Sequence, residues 1–188
     1  MKQGFYDAIL DNPIIAAAKD EDEIDKIILN NDIRIVFVLF GDVVSIGTVV
    51  DKIKASNKLA IVHMDLIQGL NSKMEAVDFV KHFTKADGII STRSEQIRYA
   101  SEIGLYTVYR IFMIDSKVFE KDYSTVVKYT DAIEILPGLM PKIIKKTVKK
   151  FKIPIIAGGM ISDKEDVINA LDAGAIAVSS TNEQVWLL

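Results

Sequence analysis

The 188-residue chain has no cysteine, one tryptophan, two histidines and four prolines. Without cysteine it can build no disulfide framework, no thiolate-ligated zinc and no thiol nucleophile, and it suits a reducing compartment. No apolar stretch approaches the roughly 18 residues that a membrane-spanning helix requires, and residues 1–7 lack the apolar core of a secretory signal. A cytoplasmic location is therefore expected. An excess of positive charge is also missing: 23 Lys and Arg against 26 Asp and Glu leave a net charge of −3. That balance argues against a uniformly basic polyanion binder while allowing a local basic face. With 49% hydrophobic residues, the chain is long enough to bury roughly two thirds of its unfolded surface. It reads as one domain over 1–188 that needs no metal or disulfide to hold it together.

What is present is repetition. Short runs rich in Ile and Val recur at 13–18, 33–40, 59–65, 88–92, 106–113, 132–137, 153–159 and 175–181. They are nearly continuous in hydrophobicity, as expected of parallel strands covered on both faces. Charged segments of helical period lie between them, at 21–31, 43–56, 74–85, 94–103, 116–129, 140–151 and 163–173. Each strand-plus-helix unit takes about 23 residues, near the minimum for a βαβ repeat. Eight such units predict an α/β fold, a compact TIM-type (β/α)8 barrel in a single domain. Because barrels usually run from about 200 residues upward, this one must have short loops and room for a shortened helix.

In a barrel the functional side chains come from the carboxyl ends of the strands. Here those ends carry Lys19, Asp42, His63, Asp65, Arg93, Arg110, Glu134, Gly158-Gly159 and Ser179-Ser180-Thr181. Gly158-Gly159 and Ser179-Ser180 close the seventh and eighth strands, where barrels most often bind phosphate: glycine lets backbone N–H groups approach an oxyanion and hydroxyls add donors. Arg110 and Glu134 sit on consecutive strands inside apolar runs, so pairing with each other would neutralise both. Two readings remain open, a buried structural salt bridge or a pair facing ligand at the mouth. His63 shares a strand face with Asp65, and with Glu134 these could compose at most an oxygen-rich, hydrated site of the kind Mg²⁺ prefers. No metal is assigned. At 142, 145, 146, 149 and 150 lysines recur at i, i+3, i+4, i+7 and i+8, one face of a helix, while Ile143, Ile144, Val148 and Phe151 occupy another. Residues 140–152 contain no acid, so Lys142, Lys145, Lys146, Lys149 and Lys150 are the candidate nucleic-acid face, with an ordinary solvated face as the plain alternative.

The strand-end strings resemble the glycerol-3-phosphate responsive antiterminators, small bacterial regulators. The segments that carry the likeness include Val38-Leu39-Phe40-Gly41-Asp42, Val62-His63-Met64-Asp65-Leu66-Ile67-Gln68-Gly69-Leu70, Arg110-Ile111-Phe112-Met113-Ile114-Asp115-Ser116, Ile133-Glu134-Ile135-Leu136-Pro137-Gly138 and Pro154-Ile155-Ile156-Ala157-Gly158-Gly159-Met160-Ile161. The likeness runs from about residue 10 to residue 181. It implies a non-enzymatic sensor, without cofactor, that takes glycerol 3-phosphate as effector and engages leader mRNA so that glycerol-utilisation genes are transcribed past a terminator. Under that reading Gly158, Gly159, Ser179 and Ser180 hold the phosphate. Lys19, Asp65, Arg110 and Glu134 contact the glycerol part or close the site. A homodimer is compatible with it. The rival is a TIM-barrel enzyme acting on a small phosphorylated sugar or a glycerol phosphodiester, with His63, Asp65 and Glu134 as acid and base groups.

Overall fold

The computed structural model describes residues 3–188. In chain order the elements are α1 (Gln3–Asp11), β1 (Ile14–Ala18), α2 (Glu21–Leu29), β2 (Ile35–Val38), α3 (Ile46–Ala55), β3 (Leu59–His63), α4 (Met74–Phe83), β4 (Gly88–Ser91) and α5 (Ser94–Glu102). There follow β5 (Tyr106–Phe112), α6 (Ser116–Glu120), α7 (Ser124–Val127), β6 (Ala132–Leu136), α8 (Pro141–Phe151), β7 (Ile155–Gly158), α9 (Lys164–Asp172), β8 (Ala177–Ser180) and α10 (Glu183–Trp186). The strands close into a barrel in the order β1 to β8, and β8 returns to pair with β1, Ile15 opposite Ser179. Every neighbouring pair is parallel, so the fold is the TIM barrel that the repeat predicts. None of the described helices is long and apolar enough to cross a membrane.

Strand alternation divides the apolar residues into two buried sets. The inward set is Ile15, Ile35, Phe37, Ile61, Ile90, Val108, Ile156 and smaller partners. The outward set packs beneath the helices, with Ile24 and Ile27 of α2, Val50 and Ile53 of α3, Ile97 of α5 and Ile144 of α8 among its members. Both faces of each strand are therefore apolar, which is why the runs are continuous rather than alternating.

Three elements depart from the sequence expectation. The first is α1, a single nine-residue helix that lies outside the strand-and-helix repeat. Phe5 and Ile9, one helical turn apart, are buried against the inward set, and the Phe5 ring stacks on Tyr106 at 5.4 Å. The helix plugs the barrel where the interior would otherwise open to water. Second, the expected 116–129 helix is two short ones. The Asp115 carboxylate accepts the Val118 N–H at 2.9 Å to start α6, and Asp122 accepts the Ser124 N–H at 2.8 Å to start α7, while Lys121 between them is extended. These local side-chain bonds compete with continuous helix and break it. Third, α10 follows β8 because the Asn182 side chain caps it, accepting the Gln184 N–H at 2.9 Å.

Candidate functional site at the barrel mouth

Beyond the inward apolar residues the same strand faces turn polar. Each polar residue lies two positions past an interior one: His63 after Ile61, Arg110 after Val108, Glu134 after Ala132, Gly158 after Ile156 and Ser179 after Ala177. Period two thus delivers them to the inside of the barrel at its carboxyl end. Register does the rest, setting Arg110 opposite Glu134 and Gly158 opposite Ser179.

The predicted pairing of Arg110 and Glu134 is formed and buried. Arg110 Nε donates to Glu134 Oε2 at 2.6 Å, with 9% and 1% of the two side chains exposed. Ser179 Oγ donates to the other carboxylate oxygen at 2.5 Å. The arrangement explains Gly158 by close approach: a Cβ there would stand 2.5 Å from Glu134 Oε1 and 2.6 Å from Ser179 Oγ. Only Nε of the guanidinium is used, and its two terminal nitrogens hold no hydrogen bond among the described residues.

Arg110 lines a cavity of about 310 Å³ together with Glu134, Ser179, Gly159, Met160 and Thr181; Ser180, Ile161, Ser162 and Asn182 border it as well, and Ala17, Leu39 and Leu136 add an apolar wall. Gly159 (φ +74°) and Met160 (φ +65°) turn the chain sharply after β7. The N–H groups of Gly159, Met160 and Thr181 are taken by no acceptor among the described residues. A guanidinium, a hydroxyl and unpaired backbone donors around one small concavity suit a phosphorylated polyol: oxyanion on the backbone and cation, hydroxyls on the Glu134 carboxylate, which has acceptor positions left over.

Several expected contacts lie elsewhere. Lys19 is exposed and its ammonium meets Glu23 at 3.0 Å, away from the cavity. Asp65 follows the end of β3, where the chain has already turned, and it ties down the next loop by accepting the Thr92 N–H at 2.9 Å and the Arg93 Nε at 3.2 Å. Ser180 does line the cavity, but its hydroxyl is engaged, donating to the Ile161 carbonyl at 2.7 Å. Thr181, part of the strand-end hydroxyl cluster, lines the cavity as well, while Met160, Ile161, Ser162 and Asn182 were not named as contacts from the sequence. Their signal was present, since they immediately follow the two strand ends already singled out. His63 and Asp65 are 4.0 Å apart at nearest and form no hydrogen bond. No three metal-ligating side chains converge among the described residues.

His63 is buried with an unpartnered Nδ1. Burial, aided by the Arg110 charge, lowers its pKa from 6.5 to about 4, so the ring is neutral at physiological pH. Between those values the unfolded chain binds a proton that the folded chain does not, so stability is full above 6.5 and falls as the pH drops toward 4. The shift corresponds to about 3 kcal/mol. Urea unfolding at about pH 7 and about pH 4.5 should show a larger acid loss for the natural protein than for His63→Gln; equal losses would contradict the assignment.

On α8 the lysines lie as the spacing predicts. Lys142, Lys145, Lys146 and Lys149 are exposed and form no ion pair among the described residues, while Ile144, Thr147 and Phe151 are buried on the opposite side. Lys150 departs from that row. Its ammonium binds the carbonyls of Phe119 and Lys121 and lies 4.9 Å from the Phe119 ring, fastening the α6–α7 segment to α8.

Comparison with known proteins gives consistent findings. A family model described as glycerol-3-phosphate responsive antiterminator matches residues 14–186. The Escherichia coli (strain K12) protein YgcP is 39% identical over 178 residues, 94% of this chain and 93% of its own length. Two crystal structures superpose closely. The glycerol uptake operon antiterminator regulatory protein of Listeria monocytogenes str. 4b F2365 is 35% identical with a TM-score of 0.88, over 94% of this chain and 95% of that one. The glycerol uptake operon antiterminator-related protein of Thermotoga maritima MSB8 is 30% identical with a TM-score of 0.81, over 93% and 98%.

Proposed function

Because the chain belongs to the glycerol-3-phosphate responsive antiterminator family, we propose that it senses glycerol 3-phosphate at the barrel mouth and engages leader RNA of glycerol-utilisation genes in the cytoplasm. The observation that carries the effector half is a cavity lined by Arg110, whose terminal nitrogens are unpaired, by Glu134, and by Gly159 and Thr181, whose N–H groups find no acceptor among the described residues. The phosphate sits on the backbone donors after β7 and β8, and Arg110 neutralises part of its charge. Glu134 takes the glycerol hydroxyls. A neutral triol lacks the group that most of the donors address, and inorganic phosphate leaves the carboxylate unused.

Turnover is not part of this reading. No lysine occurs in any of the eight strands, so the barrel interior offers no amine for a Schiff base. His63 and Asp65 are not hydrogen-bonded as an acid–base pair.

Calorimetric titration tests the effector assignment. Glycerol 3-phosphate should bind at least about tenfold more tightly than inorganic phosphate, a difference of about 1.4 kcal/mol, with no detectable heat from glycerol. Phosphorus NMR should recover the ligand unchanged. No heat from glycerol 3-phosphate would overturn the effector assignment, and its steady conversion would place the protein with the phosphosugar enzymes instead.

A further inference from the structure

Between β5 and β6 two short helices, α6 and α7, stand in place of one long helix. A second cavity, of about 360 Å³, lies on the outer side of β5. Three tyrosines distant in sequence line it: Tyr109 on β5, Tyr123 before α7 and Tyr129 after it. Tyr109 is only 6% exposed, and its hydroxyl holds no hydrogen bond among the described residues. Burial raises its pKa, so the phenol stays a neutral donor. Arg98 and Lys121 supply cations at the rim, Arg98 only loosely paired with Glu102 at 3.7 Å. Glu95 and Asp122 border the same space with carboxylates.

This cavity adjoins a cleft that reaches the carboxyl end of α8, where the row of lysines ends, and Glu120 and Asp122 also border that cleft. Lys121 and Tyr123 line both, and the cleft, of about 380 Å³, extends to Lys150 and Phe151 of α8. From there Lys149, Lys146, Lys145 and Lys142 lead along the helix, a cationic edge of about 11 Å without an acid. A basic track beside an aromatic recess, where the Tyr109 hydroxyl reaches the surface without a hydrogen bond among the described residues, is what an unstacked nucleobase on a phosphate backbone requires; a duplex has no base free to enter. The two rim carboxylates accept from the exocyclic amine of such a base.

We infer that this composite face binds single-stranded RNA, its backbone along Lys142, Lys145, Lys146 and Lys149 and one unstacked base inserted beside Tyr109, Tyr123 and Tyr129. The inference rests on the antiterminator reading for the identity of the polyanion; the location comes from the side chains. Sequence spacing reached the lysines alone, because the tyrosines converge only when β5 and α7 are packed together.

The probes are an oligocytidylate of about twelve nucleotides, an abasic strand of the same length and an RNA duplex, each measured by fluorescence anisotropy over a salt series. Oligocytidylate should bind more tightly than either of the others. Lys145→Gln, Lys146→Gln and Lys149→Gln together should flatten the slope of log affinity against log salt by about 2, roughly 0.7 for each phosphate that is no longer neutralised. Thr125→Trp, an exposed position on the cavity wall, should weaken oligocytidylate about tenfold or more, within the range for loss of one stacked base, and leave the abasic strand unaffected. Neither change touches the barrel mouth, so glycerol 3-phosphate affinity in both variants reports that they are folded. Equal binding of oligocytidylate and abasic strand, a duplex bound more tightly, displacement by polyglutamate of equal charge, or an unchanged salt slope would each overturn the inference. If the natural protein binds glycerol 3-phosphate but no RNA, this face falls and the effector assignment stands; if RNA binds but no variant weakens it, the RNA reading stands and the face is wrong.

Discussion

Glu134→Ala should lower the free energy of unfolding by about 3–5 kcal/mol, because it strands the Arg110 guanidinium in a site where almost none of it reaches water. It also removes the acceptor of the Ser179 hydroxyl. A domain is stable by roughly 5–15 kcal/mol, so this loss should be plain in a urea midpoint at constant m-value. The control is the double change Arg110→Met with Glu134→Leu, which takes away both charges and should regain much of the stability. That double variant should nevertheless bind no glycerol 3-phosphate, since Arg110 and Glu134 are its proposed contacts. A loss below about 1 kcal/mol in Glu134→Ala would mean that water reaches the pair, as at a surface salt bridge. Retained effector binding in the double variant would make the pair purely structural.

Gly159→Val should abolish effector binding, with affinity falling by about 100-fold or more, nearly 3 kcal/mol. Two causes act together. At φ +74° a β-branched residue is strained, which costs about 1–3 kcal/mol and shifts the loop that presents the donors. A Cβ also meets Leu136 Cδ2 at 3.1 Å, so the wall of the cavity must give way. Gly159→Ala meets the same wall with less strain and should fall between the natural protein and the valine variant. Far-UV circular dichroism establishes that the barrel persists, and calorimetry reads the affinity. Natural-strength binding by a folded Gly159→Val protein would remove the loop after β7 from the site.

The eightfold alternation, and with it the barrel, was legible in the chain because strands buried on both faces must be apolar throughout and helices between them must show one apolar side. The same regularity located the strand ends, so Arg110, Glu134, Gly159 and Ser179 could be named before their geometry was known. Whether Arg110 and Glu134 pair was a question of register, and register belongs to the closed sheet. Lys19, Asp65, Ser180 and Lys150 show what local pattern cannot supply. Each has the residue type its role demands, yet a nearby partner in space takes its polar atoms: Glu23, the Thr92–Arg93 loop, the Ile161 carbonyl and the carbonyls of Phe119 and Lys121. Periodicity depends on neighbours a few residues apart and survives in one dimension. Competition for a hydrogen bond, the plugging of the barrel by Phe5 and the gathering of three tyrosines beside α7 depend on distances across the fold, and only the packed chain sets those.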